Sequence, residues 1–318
     1  MRYYRSIYLT LIVLILSSNA LVRAQTPEAA LNYYNHGLEK LERGEQDGAI
    51  EDFTRAIEIS SRLVSEKHAS SRLRQNANGF NTSAESDSIT VIDPFTAKAY
   101  TNRGVVRYQK GDVDGAIDDF NHAIEINPGL AATYSNRATA RRSKGDLRGA
   151  LADFDRSLVI DRRLVEAYNN RGTLRQDLGD SDGALADLNQ AVALNPRLAE
   201  AYYHRGYLGI DRKDFRRAIL DFDRAIKLKP GLDWAYQGRG TARIDLGDLD
   251  GAIADFSRAL ELNPNLEAAY TNRGLALLLQ GKDLEAQKDF EKLLAMAPGM
   301  KADLDGRIKL AKEVRQTH

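Results

Sequence analysis

The sequence predicts an all-α protein built as an array of helix–turn–helix repeats, and three observations carry that expectation. Seven tyrosines keep an interval of 34 residues with one gap: Tyr33, then Tyr100, Tyr134, Tyr168, Tyr202, Tyr236 and Tyr270. A second series runs in phase with them: Phe53, Phe120, Phe154, Leu188, Phe222, Phe256 and Phe290. Within one period, Tyr100, Arg103, Gly104 and Arg107 stand at i, i+3, i+4 and i+7, one stripe of a helix. A period of roughly 20 to 50 residues marks small units stacked on their neighbours rather than a single globular core.

The first 24 residues are a separate element. Arg2 and Arg5 form a basic start, Ile7 to Leu16 is an almost unbroken apolar run, and Val22 and Ala24 fit the small-residue rule for cleavage after Ala24. A run of this length falls short of the ~20 residues that cross a bilayer as a helix. The expectation is a cleaved export signal, hence a periplasmic or secreted protein; the alternative is a membrane anchor that stays in place. Cleavage would remove three arginines (Arg2, Arg5, Arg23) and no acidic residue from a chain with 45 residues of each sign.

Residues 25–59 hold an N-terminal segment and the first repeat, which begins at Ala30. The segment 60–91 then interrupts the array. It carries Ser60, Ser61, Ser65, Ser70, Ser71, Ser83, Ser86 and Ser88 and a single aromatic, Phe80. Such a composition buries too little apolar surface to order itself, so a flexible or loosely ordered insertion is expected. Arg62, Lys67, Arg72 and Arg74 leave open an extension of the preceding helix. The array resumes over 92–300, with repeats starting at Ala97, Ala131, Val165, Ala199, Asp233 and Glu267.

Each repeat supplies its own punctuation. In the second, Gly111 suits the left-handed position after a helix and Asp112 an N-cap. Asn127-Pro128 ends the second helix, because proline disfavours helical geometry in the residue before it. Ala116, Asp119, Phe120 and Ala123 form the stripe that faces the first helix. Small residues at repeat positions 8, 20 and 27, an aromatic at 24 and proline at 32 resemble the tetratricopeptide repeat (TPR), in its Asn-Arg-Gly form, over residues 30–59 and 92–300. The resemblance implies seven helix–turn–helix repeats in a right-handed superhelix, in a bacterial exported protein, with residues 301–318 as a C-terminal capping helix carrying Leu304, Ile308 and Leu310. It also implies a close helix–helix contact at Gly206 and Ala218.

Two positions depart from the usual pattern. Position 7 is Arg103, Arg137, Arg171, Arg205, Arg239 and Arg273, with His36 in the first repeat; position 23 is Asp52, Asp119, Asp153, Asp187, Asp221, Asp255 and Asp289. Both lie on facing stripes, where a charge is costly unless paired. An Arg–Asp bridge between the two helices of each repeat is expected, rather than an arginine ladder turned to an anionic ligand.

Composition narrows the function. Equal acidic and basic counts give no electrostatic footprint for nucleic acid. The chain has no cysteine, which removes disulfides, thiolate chemistry and lipid attachment through an N-terminal cysteine. Five histidines are scattered without metal-ligand spacing. The glycines at Gly238 and Gly240 belong to the repeat and follow no strand, so they form no nucleotide loop. No catalytic set, metal or cofactor is expected.

A partner is expected on the opposite stripe of the first helices, which the resemblance places in a concave groove. Position 6 there is Asn35, Asn102, Asn136, Asn170, His204, Gly238 and Asn272. Asparagines at regular steps suit the backbone of an extended peptide, since each offers a donor and an acceptor; the alternative is a structural asparagine of the Asn-Arg-Gly block. Where the column breaks, Tyr203, His204, Tyr207 and Trp234 gather in adjacent repeats, either as an interaction hot spot or with Trp234 packed at a junction. Glu166, Asp177, Glu200, Asp211 and Asp245 add an acidic bias that favours a partner segment with a basic residue. The sequence therefore points to a non-catalytic scaffold or adaptor for a protein or peptide. A structural spacer acting through the convex face or the insertion is the rival.

Overall fold

The computed structural model describes residues 26–78 and 94–317, and among these every regular element is a helix. The export segment expected over residues 1–24 lies outside them. The helices divide between two compact units, one ending at Leu164 and the other beginning at Val165. The N-terminal unit holds α1 (Pro27–Glu42), α2 (Gln46–Asn78), α3 (Pro94–Gln109), α4 (Val113–Ile126), α5 (Ala131–Ser143) and α6 (Leu147–Ile160). The C-terminal unit holds α7 (Val165–Asp177), α8 (Ser181–Leu194), α9 (Ala199–Asp211), α10 (Phe215–Leu228), α11 (Asp233–Asp245), α12 (Leu249–Leu262), α13 (Glu267–Leu279) and α14 (Asp283–Met296). A 3-10 turn at Pro298–Met300 then leads into α15 (Lys301–Thr317).

In both units each odd-numbered helix pairs with the helix after it, so the array consists of helix–turn–helix repeats as the register predicts. The turns form for the reasons written in the sequence. Gly145 adopts φ 82°, and the next residue, Asp146, caps α6 by accepting from the Gly149 amide at 2.9 Å. The turn before α10 differs: Lys213 occupies the left-handed region at φ 58° where the other repeats use glycine. A side chain there costs about 1–2 kcal/mol.

The second tyrosine-phased series is the core. Phe53, Phe120, Phe154, Leu188, Phe222 and Phe256 are essentially inaccessible. Each such side chain contributes about 1.5–3 kcal/mol on burial. The ring fits because the facing residue is small: a Cβ added to Gly206 would stand 2.8 Å from Phe222 Cε1. Gly209, one turn on, faces Ala218, whose Cβ is 3.1 Å from the position an added Cβ would take.

The structure adds detail at two places that the sequence left open. The segment 60–91 does not leave the helix at its start, because α2 runs on to Asn78. Ala56, Ile57 and Ser60 are still buried against the repeat, and Ser65 and Ser70 close back on the carbonyls of Ser61 and Glu66 at 2.9 Å. Back-bonds of this kind are compatible with a helix but do not stabilise it. Residues 79–91 of that segment fall outside the described residues. At the other end, α15 caps the array through Leu304, which is buried among Leu277, Leu278, Phe290 and Leu293, with Ile308 beside it. Leu310 does not join them; it is exposed, one residue round the helix from the buried stripe.

Candidate functional site

The charged positions come first, because they determine which surface is left for a partner. Arg137 Nε and Nη2 donate to the two carboxylate oxygens of Asp153 at 2.8 and 2.7 Å. The same fork joins Arg103 to Asp119, Arg171 to Asp187, Arg205 to Asp221, Arg239 to Asp255 and Arg273 to Asp289. In the first repeat, where position 7 is His36, Lys40 serves Asp52 instead, with Nζ at 2.8 Å. A bidentate, largely buried pair is the strong form of this bond. Each of these arginines also lies under the repeat tyrosine, as Arg137 does 5.5 Å from the centroid of Tyr134. Nη1 reaches back to the preceding repeat: Arg137 to Asn121 at 2.7 Å, Arg205 to Asn189 at 2.8 Å, and Arg239 to Asp223 at 2.5 Å. With all edges of the guanidinium engaged, the arginine column is scaffold.

A second arginine series was not singled out from the sequence. Arg107, Arg141, Arg175 and Arg243, at position 11, add a further donor to the same aspartates. Its signal was present as a 34-residue recurrence, broken at Gly209 and Leu277.

The position-6 column is less uniform than its sequence. In the N-terminal unit, Asn102 donates to the Tyr34 hydroxyl at 3.3 Å, and Asn136 is half-buried. In the C-terminal unit, Asn170 accepts from its neighbour Asn169 at 3.2 Å. Gly238 has no side chain for a steric reason: a Cβ there would lie 2.4 Å from Phe222 Cζ. Asn272 accepts from Arg307 of α15 at 3.3 Å. The C-terminal helix thus reaches the first-helix stripe, which its role as a cap did not imply. Leu310, Ala311 and Val314 of α15, with Ile244, Leu275 and Leu279, wall a mainly apolar cavity of about 340 Å3 beside Asn272.

The aromatic residues do come together. The rings of Tyr203 and Tyr207 meet edge to face at 5.0 Å, His204 lies 4.8 Å from Tyr203, and Tyr207 packs edge-on to the buried Phe222 at 5.2 Å. The Tyr207 hydroxyl donates to the Trp234 carbonyl at 3.2 Å, tying α9 to the start of α11. Burial, with Tyr203 and Asp233 adding to it, holds the Tyr207 hydroxyl above the ordinary tyrosine range, so it remains a donor. The Trp234 side chain is 44% exposed, while Tyr203 is half-buried. The acidic set is partly committed elsewhere. Lys229 bonds Glu200 at 3.0 Å and lowers its carboxyl from the usual range, and Gln176 donates to Asp211 at 2.6 Å. Glu166 and Asp245 are exposed. Among the described residues no cluster of three or more His, Asp or Glu could hold a metal, and no helix is long and apolar enough to cross a membrane.

The comparisons with known proteins agree with this architecture. Models of the tetratricopeptide repeat match residues 30–62, 97–130, 169–233 and 267–299, and a TPR repeat model matches 240–281, together more than half of the sequence. No curated protein matches the chain. Among solved structures, a tetratricopeptide repeat protein from Parabacteroides merdae is 19% identical over 90% of this chain and 99% of its own, with a TM-score of 0.58. YrrB, a TPR protein with an unusual peptide-binding site, is 23% identical over 61% of this chain and 97% of its own, with a TM-score of 0.50. MamA is 31% identical over 52% of this chain and 96% of its own, with a TM-score of 0.47. With its phased tyrosines, buried aromatic series and paired helices, the chain belongs to the tetratricopeptide-repeat proteins.

Proposed function

We propose that this chain is a non-catalytic adaptor that binds an extended segment of a partner protein on the first-helix face of its C-terminal unit. The observation that carries the reading is the cluster of Tyr203, His204 and Tyr207 beside the exposed Trp234, with both tyrosines held in place against the Phe222 core. Large aromatics at the solvent edge of a rigid helix are the residues that most often dominate binding energy. The TPR fold is in general a protein–protein interaction scaffold, and in YrrB it carries a peptide-binding site.

The asparagines take a smaller share than their column suggests, since Asn102, Asn170 and Asn272 each have an intramolecular partner. Glu166 and Asp245 favour a basic residue in the bound segment. The balanced charge argues against nucleic acid, and the sequence of residues 1–24 favours export.

The test is recovery of partners on the full chain from a cross-linked native extract. Tyr203→Ala with Trp234→Ala should abolish recovery while circular dichroism keeps its helical signal. Addition of Asn136→Ala and Asn170→Ala should change little more. Unchanged recovery with the aromatic pair removed would refute the site and leave the convex-face spacer.

A further inference from the structure

Four repeats put an arginine at position 11, and all four hold its guanidinium with the same three acceptors. Nη1 of Arg107, Arg141, Arg175 and Arg243 lies 2.7–3.0 Å from the repeat aspartate and 3.1–3.5 Å from the backbone carbonyls of Gly115, Gly149, Gly183 and Gly251. Nε lies 3.4–3.8 Å from the aspartate that caps the second helix. In the first repeat an ammonium takes the place, with Lys40 Nζ 2.8 Å from Asp52 and 3.4 Å from the Gly48 carbonyl. The seventh repeat has lost the cation and the cap together: Leu277 fills the position, and Lys282 stands where the cap aspartate would be.

The fifth repeat has lost only the cation. Its position 11 is Gly209, yet the cap Asp214, the core Asp221 and the carbonyl of Arg217 are all retained. Asp221 keeps the fork from Arg205, at 2.9 and 2.6 Å, without a second arginine. A cavity of about 580 Å3 opens there, lined in part by Gly209, Asp214 and Asp221 and by the apolar Leu185, Leu208 and Leu220. Of the cations at its rim, Arg212 is held by Asp182 at 2.6 Å, whereas the largely exposed Arg217 reaches Asp214 itself at 3.4 Å and is the contact an incoming guanidinium would replace. Leu220 is 67% exposed at the mouth.

We propose that the gap at Gly209 receives the guanidinium of an arginine side chain supplied by a partner protein. Asp221, Asp214 and the Arg217 carbonyl would bind the planar head as their counterparts do in four other repeats. Leu185 and Leu220 would cover the methylene stem, which is the part of an arginine that gains from apolar contact. The site is independent of the aromatic patch. Gly209 follows Tyr207 by two residues, about 200° round α9, and therefore opens on the opposite face of that helix.

The probes are n-butylguanidinium and the blocked tripeptide acetyl-Ser-Arg-Ser-amide, titrated into the full chain while the Leu208 and Asp221 amides are followed by NMR. Both probes should shift these amides, and the tripeptide with citrulline in place of arginine should not. Gly209→Arg and Gly209→Leu, which refill the gap as Arg243 and Leu277 do in their repeats, should weaken binding at least about tenfold, or 1.4 kcal/mol. Because a side chain at 209 presses on Ala218, Asp214→Asn is the companion variant; it keeps a capping side chain and should weaken binding several-fold. Silent wild-type amides, or equal binding by the refilled variants and by Asp214→Asn, would overturn the proposal. A response to n-butylguanidinium with the arginine tripeptide silent would overturn its assignment to a protein partner.

Discussion

The third and fifth repeats share a plan and differ in how completely they carry it out. In the third, Asp153 takes a fork from Arg137 and a third bond from Arg141, Gly145 makes the turn and the face at position 6 carries Asn136. In the fifth, Asp221 has one arginine, Lys213 makes the turn at a positive φ, and the first helix exposes aromatics around His204. The third repeat spends its polar residues on itself. The fifth leaves both a carboxylate pocket on one side and an aromatic cluster on the other. A repeat array can concentrate recognition in one member because its neighbours supply the stability.

The largest effect should separate the two repeats directly. Asp153→Ala strands two arginines in a buried setting and should lower stability by about 3–5 kcal/mol. Asp221→Ala strands one arginine beside an open cavity and should cost clearly less, read as the shift of the urea midpoint of the full chain. Equal losses would break the comparison. Next comes a contrast inside the fifth repeat. Gly206→Leu drives a side chain into Phe222 and should cost at least about 1–3 kcal/mol. Gly209→Leu meets only the Ala218 contact, at 3.1 Å, and should cost clearly less in the same midpoint. If both were equally harmful, the gap at Gly209 would not be an open one.

Two smaller effects bear on the aromatic side. Tyr207→Phe removes the bond to the Trp234 carbonyl and should cost about 1 kcal/mol. It should also change the alkaline limb. The Tyr207 hydroxyl titrates above the ordinary tyrosine value in the folded chain, so its contribution is complete below about pH 10 and is lost as pH rises beyond it. The variant should lose stability less steeply above that pH, a slope read from thermal midpoints. Trp234→Ala should leave the midpoint within about 0.5 kcal/mol, as expected for an exposed side chain with no core beneath it. A larger loss would make the tryptophan part of the fold rather than of the binding face.

Most of the fold could be read from the sequence because the repeat states each rule several times. Tyr134, Arg137, Asp153 and Phe154 could each be checked against five or six copies, and the Arg–Asp bridges followed from the cost of an unpaired buried charge. What occurs only once was harder. The helical run to Asn78 continues the second helix of the first repeat through a serine-rich stretch, which composition alone scores as disorder. The reach of α15 to Asn272 depends on the angle set by the Pro298–Met300 turn, for which no periodicity exists. The gathering of Tyr203, His204 and Tyr207 was legible from helical spacing, whereas the pocket behind them was not, since it is made by a residue that is missing. Gly209 reads as an ordinary helix glycine until the four arginines at its position are set beside it.

The backward-reaching arm of each repeat arginine has a consequence for how the chain comes apart. Arg205 joins the fifth repeat to the fourth through the neutral Asn189, whereas Arg239 joins the sixth to the fifth through the charged Asp223, itself 46% exposed. Salt screens the Arg239–Asp223 arm and leaves the Arg205–Asn189 arm almost untouched, while the Arg212–Asp182 pair between the fourth and fifth repeats is screened as well. In a linear array the strength of each joint sets how many repeats melt together. Rising ionic strength should therefore weaken the charged arms between repeats, Arg239–Asp223 and Arg212–Asp182 among them, and spare the neutral ones.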